Sequence, residues 1–269
     1  MFNRHPHLVV VITTFDLDAL RVSLPPLRRL GHKFSLIIHN DNPAMNLRRG
    51  TMRKMYPRGK VHIINSEKNF GEIESRIRSV EYIRDNKIPC DWIIFCDDDD
   101  VLIDVGIPNV AQNIFAIVQN ATTIAESLTD VFKISHAWAN GAPVGKTGPH
   151  FDINGTMIRA HVFFEFAEFL RTVMDDILTL MSRTKYRVPI STLLWAGLNA
   201  FVRVRHPEMS PIYMNRTNYV AIKMGRAITK YGRTIPNNAT AHKAVSETIK
   251  KFTELVETTA TQNMVAENQ

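Results

Sequence analysis

The chain has 269 residues, 45% of them hydrophobic, with 33 Lys and Arg against 26 Asp and Glu and a formal net charge of +7. That is a globular composition with enough length for one large α/β core, and it excludes disordered and fibrous classes. No run approaches the roughly 18 uncharged apolar residues of a spanning helix; the best candidate, Ser191 to Val202, is only 12 long. The apolar run Leu8–Ile12 is too short for a signal-peptide core and is followed by Asp16 and Asp18, so a cytoplasmic location is expected. Cys90 and Cys96 are the only cysteines, which excludes a disulfide scaffold and fits a reducing compartment.

Four Val/Ile-rich runs lead the chain: Leu8–Thr14, Phe34–His39, Lys60–Ile64 and Asp91–Cys96. Near-continuous apolar character marks strands of a parallel sheet buried on both faces, and the spacing leaves room for crossover helices. Glu72–Arg84 is predicted as a helix, with Ile73, Ile77, Val80 and Ile83 on one stripe. Pro25-Pro26 are expected to break the helical pattern between Asp16 and Gly31 into two short pieces at best. The alternation implies an α/β fold with an open, mostly parallel, twisted sheet and flanking helices.

Beyond residue 100, Ile107–Val118 is predicted as a helix with Pro108 in its first turn, and Val131–Ala139 as a strand. The Gly/Pro-rich stretch Asn140–Pro149 is expected to be a loop. Its GAPVGKTG run has the wrong spacing for a phosphate-binding loop. Val162–Leu170 reads as a helix whose phenylalanines are core, and Met174, Ile177, Leu178 and Met181 set the stripe of the next helix. A short strand candidate precedes Arg203. Thr240–Val256 reads as a closing amphipathic helix, with a frayed tail from about Thr258.

Ligands in such sheets bind beyond the carboxyl ends of the strands. Those ends read Thr13-Thr14-Phe15-Asp16, then His39-Asn40-Asp41-Asn42-Pro43, then Asn65 to Gly71, then Asp97-Asp98-Asp99-Asp100. Four adjacent carboxylates repel one another, and a hard cation such as Mg²⁺ or Mn²⁺ relieves the repulsion while bridging a diphosphate. Alternate residues of an extended segment point the same way, so Asp97 and Asp99 are the expected metal ligands.

In that order, TTFD, HNDNP, NFG followed by ESR, and FCDDDD resemble the nucleotide-sugar half of a GT-A glycosyltransferase of the family-2-like kind. The resemblance covers Leu8–Asp100, with Phe15-Asp16 where Tyr-Asn is usual and Asn42-Pro43 where Gly-Ser is usual. It implies donor contacts from Thr13, Asp41, Asn69, Gly71, Arg76 and Asp97, and Mn²⁺ or Mg²⁺ on Asp97 and Asp99. A UDP-sugar is the expected donor. In inverting members an E-D pair before a G-Y-R-V-like segment supplies the base. Here Asp175-Asp176 precede Lys185-Tyr186-Arg187-Val188, so Asp176 is the expected base, supported by Asp175; otherwise the pair is two acids at a helix start. The segment from Ile153 to Arg159 resembles a donor–acceptor wall. A late His completes the metal shell in many GT-A enzymes, and His206 is the best-placed candidate. The Q-x-x-R-W signature of processive synthases is absent. The resemblance divides the chain into a nucleotide-sugar-binding half (1–104), an acceptor and catalytic half (105–238), and a C-terminal helix with tail (239–269).

Two stretches are basic and nearly acid-free. One holds Arg48, Arg49, Arg53, Lys54, Arg58 and Lys60; the other holds Arg203, Arg205, Arg216, Lys223, Arg226, Lys230 and Arg233, with Tyr213, Tyr219 and Tyr231 interleaved. Such one-sided charge suggests an anionic partner, and tyrosines can stack on bases. The expected acceptor is a hydroxymethylated pyrimidine in DNA, of the sort phage enzymes modify, which places the protein in the host cytoplasm. The alternatives are a protein or glycan acceptor, a nucleotidyltransferase, or a non-catalytic nucleic-acid-binding module.

Overall fold

The structure is a computed structural model that describes residues 6–27, 34–56, 60–98, 100–102, 106–107, 109–125, 152–186, 188–222 and 239–267. The four leading runs form β1 (Leu8–Thr14), β2 (Phe34–Asn40), β3 (Lys60–Asn65) and β4 (Trp92–Asp97). They pair in parallel, in the order β3-β2-β1-β4. Three helices connect them: α1 (Leu17–Leu27), α2 (Arg49–Met55) and α3 (Glu72–Asp85). The pleat explains the continuous apolar runs. Val9 and Val11 of β1 face one core with α3, while Leu8, Val10 and Ile12 face another with α1. The fold is α/β with a mostly parallel mixed sheet and helices on both faces.

The sheet continues through β5 (Val101–Leu102), β6 (Ile114–Ala125), β7 (Met157–Arg159) and β8 (Ser210–Ile222), giving the full order β3-β2-β1-β4-β7-β6-β8-β5. β7 is antiparallel to both β4 and β6, so β6 and its parallel partner β8 point the same way as β4. Behind one face lie α4 (Ala160–Thr172), α5 (Met174–Ser182), α6 (Ile190–Arg205) and α7 (Ala239–Glu267).

Chain connectivity shows that the sheet curls. Residues 97 and 101 can be at most about 14 Å apart along an extended chain. β5 stands four places from β4 in the sheet order, about 19 Å if the sheet were flat. The β6–β8 ribbon must therefore bend over the carboxyl end of β4. Its register shifts between Gln119 and Thr122 mark the bend, because bulges kink and twist a strand.

Several expectations are corrected. The segment predicted as a helix over Ile107–Val118 ends in strand β6. Ile114 to Val118 are all buried, Phe115, Ala116 and Val118 in one core and Ile114 and Ile117 in the other, so their apolar run carries no usable period. The strand candidate ahead of Arg203 is helix α6, buried at Leu194, Leu198, Phe201 and Val202. α1 runs unbroken through Pro25 and Pro26 to Leu27. Its Leu20, Leu24 and Leu27 are anchored in the core, and packing holds the last turn without the missing amide donors. The tail expected to fray from Thr258 is helical to Glu267, held by Ala260 in the core and by an Arg205–Glu267 ion pair. The strand candidate Val131–Ala139 and the loop Asn140–Pro149 lie outside the described residues. No helix among the described residues is long and apolar enough to cross a membrane.

Candidate active site

The carboxyl ends of β1, β2 and β4 converge on Asp97. Thr13, half-buried, is its register partner on β1, and His39 is the partner of Thr13 on β2. Asp97 is held from two sides. Its Oδ1 accepts from Arg76 Nη2 at 3.1 Å and its Oδ2 from Asn154 Nδ2 at 2.9 Å. Arg76 Nη2 also donates to Asn154 Oδ1 at 2.9 Å, which closes a triangle of three side chains. Arg76 is buried to 2% exposure, has Phe95 beneath its guanidinium and lies 2.8 Å from Glu72 Oε1. Asn154 reaches the site because its turn is stitched to β4: Gly155 N donates to Phe95 O at 2.8 Å, and Gly155 takes φ 73°, a conformation that favours glycine.

Asp98 points elsewhere. Its Oδ2 accepts from Thr14 Oγ1 (2.7 Å) and from Phe15 N (3.2 Å). Phe15 O in turn accepts from Asn42 Nδ2 at 3.0 Å. The backbone of Phe15 is thus pinned on both sides while its ring stays 43% exposed. Asp41 is buried and accepts Phe70 N on Oδ1 and Gly71 N on Oδ2, both at 2.8 Å. Asn69 Oδ1 accepts the same Gly71 amide at 2.9 Å, and Gly71 sits at φ 79° ahead of α3. Asp41, Asn69 and Gly71 therefore form one turn that fixes the start of the helix carrying Arg76. Asp152 flanks the cluster, accepting Asn154 N (2.9 Å) and Ser191 Oγ (2.7 Å).

Burial pushes the Asp97 carboxyl well above the usual carboxylate range. Arg76 opposes the rise, and Glu72, Asp100 and Asp152 add to it. The Asp97 side chain keeps 37% exposure, so solvent reaches it from the cleft. One arginine among four acids leaves a surplus of negative potential and hard oxygen donors, which is the chemistry that suits Mg²⁺ or Mn²⁺. Among the described residues no three His, Cys, Asp or Glu side chains converge to hold an ion. Magnesium at a diphosphate needs only one or two protein carboxylates, so this donor set fits such a metal. Asp99 lies outside the described residues.

Asp175 and Asp176 are exposed in the first turn of α5. Arg171, at the end of α4, pairs with Glu74 in the first turn of α3 and with Glu81, so α5 begins at the same edge of the sheet as Asp97. The Ser191–Asp152 bond brings the start of α6 to that edge as well. His206 is placed elsewhere. It bonds Glu165 at 2.9 Å on α4, and β8 after it begins beside Asn113. Those elements meet β4 at Trp92, the register partner of Arg159. Five residues of strand, about 16 Å, separate that end from Asp97, so His206 is not brought to the expected metal site. Arg203 and Arg205 pair with Glu257 and Glu267 of α7, and Arg159 donates to Ile114 O and Ala111 O, all away from Asp97. Tyr213 is half exposed on β8. Lys223, Arg226 and the side chain of Arg216 lie outside the described residues.

No protein-family model and no curated protein matches the chain. Among solved structures, it is similar to S. aureus TarS 1–349 at 10% identity and a TM-score of 0.47, over 91% of this chain and 71% of that one.

Sequence reasoning did not assign Glu72, Asp98, Asp152, Asn154 or Ser191. The Asn-Gly pair at 154–155 marked a turn, but nothing in it announced a partner 57 residues upstream.

Proposed function

We propose that the protein is a metal-dependent glycosyltransferase that moves a sugar from a nucleotide-sugar donor to a hydroxyl acceptor. The observation that carries this reading is the Arg76–Asp97–Asn154 triangle at the carboxyl end of an inner parallel strand, surrounded by further acids. A divalent cation on Asp97 and Asp99 would neutralise the leaving diphosphate. Arg76 and Asn154 hold the Asp97 carboxylate in one orientation. Thr13, Phe15 and the Asp41–Gly71 turn border the donor side, with the Phe15 ring offering an apolar face to a base. Asp176 takes the proton of the acceptor hydroxyl. The acceptor is a hydroxymethylated pyrimidine in DNA, whose primary alcohol a carboxylate base can activate.

The test is a screen of nucleotide sugars with Mn²⁺ and hydroxymethylated duplex DNA, followed by variants. Asp97→Asn and Asp99→Ala should abolish turnover in a folded protein. Asp176→Asn should lower kcat by about 10² or more with donor KM little changed. Turnover indifferent to EDTA would overturn the metal role. Transfer to protein or glycan hydroxyls instead of DNA would overturn the acceptor assignment alone.

A further inference from the structure

The two basic stretches of the sequence end up in different electrostatic situations. Arg203 and Arg205 are matched by acids of α7, just as Arg78 is matched by Glu74 of its own helix and Arg84 and Arg171 by acids of neighbouring helices. Four cations of the stretch from 48 to 60 stand differently. Arg48, Arg49, Arg53 and Lys60 are exposed, and none has an ion-pair partner among the described residues. α2 buries Met52 against the sheet and turns Arg49 and Arg53, one turn apart, outward. Lys60 opens β3, an edge strand of the sheet. Burial lowers the pKa of His62, also on β3, and the nearby Arg49 and Lys60 lower it further.

This row of charge leads to the cleft. Asn65, at the carboxyl end of β3, clasps Leu47 through both its amide groups, and Asn40 Nδ2 donates to Met45 O. Arg48 therefore stands at the rim of the cleft, beside the loop that carries Asp41. Arg49 and Arg53 follow on α2, and Lys60 stands at the opposite end of β3 from Asn65, about 16 Å away along the strand.

We propose that the α2–β3 flank is the docking track for the phosphodiester backbone of duplex DNA and delivers it to the Asp97 cleft. This rests on the acceptor reading above only in treating the duplex as substrate. The cations run from the rim of the cleft to the start of an edge strand, which fits an extended polyanion. The flank carries none of the exposed large apolar side chains among the described residues, so a lipid surface would find no anchor. Among its described residues Tyr56 is buried and the half-buried His62 ring packs edge-on against Tyr82, so neither offers an open platform on which single-stranded bases could stack. Backbone contact without base contact is how duplexes are bound non-specifically.

The experiment measures binding of the full chain to a 20-base-pair duplex by fluorescence anisotropy, from about 50 to 200 mM salt. Each phosphate contact contributes about −0.9 to the slope of log K against log[salt]. Removing three cations in Arg49→Gln/Arg53→Gln/Lys60→Gln should make the slope shallower by about 3. Arg203→Gln/Arg205→Gln should leave it unchanged. Nucleotide-sugar hydrolysis without DNA should be equal in the wild type and the triple variant, which also reports that the variant folds. No duplex binding, an unchanged slope in the triple variant, or tighter binding to single strands or anionic vesicles would overturn the proposal. Loss of hydrolysis from the wild type with the DNA slope intact would overturn the glycosyltransferase reading and leave the docking track standing.

Discussion

Asp97 is held in place from outside its own strand. Arg76 comes from α3 and Asn154 from the turn before β7, and each contacts the other as well as the carboxylate. Asn154→Ala removes one bond to Asp97 and one acceptor from a buried guanidinium. Residues that orient a metal-binding carboxylate are worth about 10–100-fold in metal affinity or activity. Asn154→Ala should therefore weaken Mn²⁺ binding, followed by Mn²⁺ paramagnetic resonance, by that factor with an unchanged far-UV spectrum. Asn154→Gln, which keeps both hydrogen-bonding groups, should recover part of it. The sequence announced Asp97 and Arg76 through their motifs. It left Asn154 as one residue in a wall segment, because a contact between positions 97 and 154 is made by the sheet and has no local signature. His39 is a second buried residue with a defined state. Ser79 Oγ donates to Ser75 O, so the ring Nδ1–H donates to Ser79 Oγ while Nε2 accepts from Ser66 Oγ. Desolvation lowers the pKa below the ordinary 6.5. Arg78 adds to this, while Asp41, Glu74 and a backbone bond to Ser75 oppose it. The unfolded chain then binds the proton more readily. The stability His39 contributes is complete above pH 6.5 and is lost as pH falls from there toward the folded-state pKa. Urea midpoints measured between pH 7.5 and 5 should fall, and His39→Gln should flatten that part of the profile.

At the scale of elements, packing decides what local pattern cannot. β1 to β4 were legible because strands sandwiched between two helix layers read as Val/Ile runs between turn residues. The described side chains of β6, Ile114 to Val118, have the same burial on both faces, but the segment lacks a flanking turn signal strong enough to separate it from a helix. α6 misled for the opposite reason: a helix buried on most sides, and rich in Leu, Phe and Val, loses its polar face and with it the 3.6-residue period. α6 also sets the position of the last helix through Gly197. A Cβ there would lie 2.4 Å from the Phe252 ring of α7 and 3.3 Å from Phe166 of α4. Phe252 is fully buried, so its ring or the helix carrying it must shift to make room. Gly197→Ala should destabilise the fold by about 1–3 kcal/mol through overpacking. That is a fall in Tm of about 2–4 °C per kcal/mol for a chain of this size, measurable by calorimetry. An unchanged Tm would mean that α7 can shift away from α6 at no cost.

For the molecule as a whole, the sequence predicted the layers and the edge at which the acidic turn emerges. It did not predict the curl, because that depends on which strands join β8, and β5 is only two residues long. The curl gives the acidic turn two fixed ends. Residue 97 closes the inner strand β4, and residue 101 opens β5 at the far edge of the same sheet, where Val101 and Leu102 are paired with Val220 and Tyr219 and fully buried. An added residue in the turn would slip β5 by one position and exchange which of its side chains face the interior. A deleted residue would pull the ribbon away from the strand it overhangs. Length in this turn is therefore under as tight a constraint as composition. A sequence carrying an insertion or deletion between these two strands could keep all four aspartates and still have lost the placement of Asp97 against the ribbon.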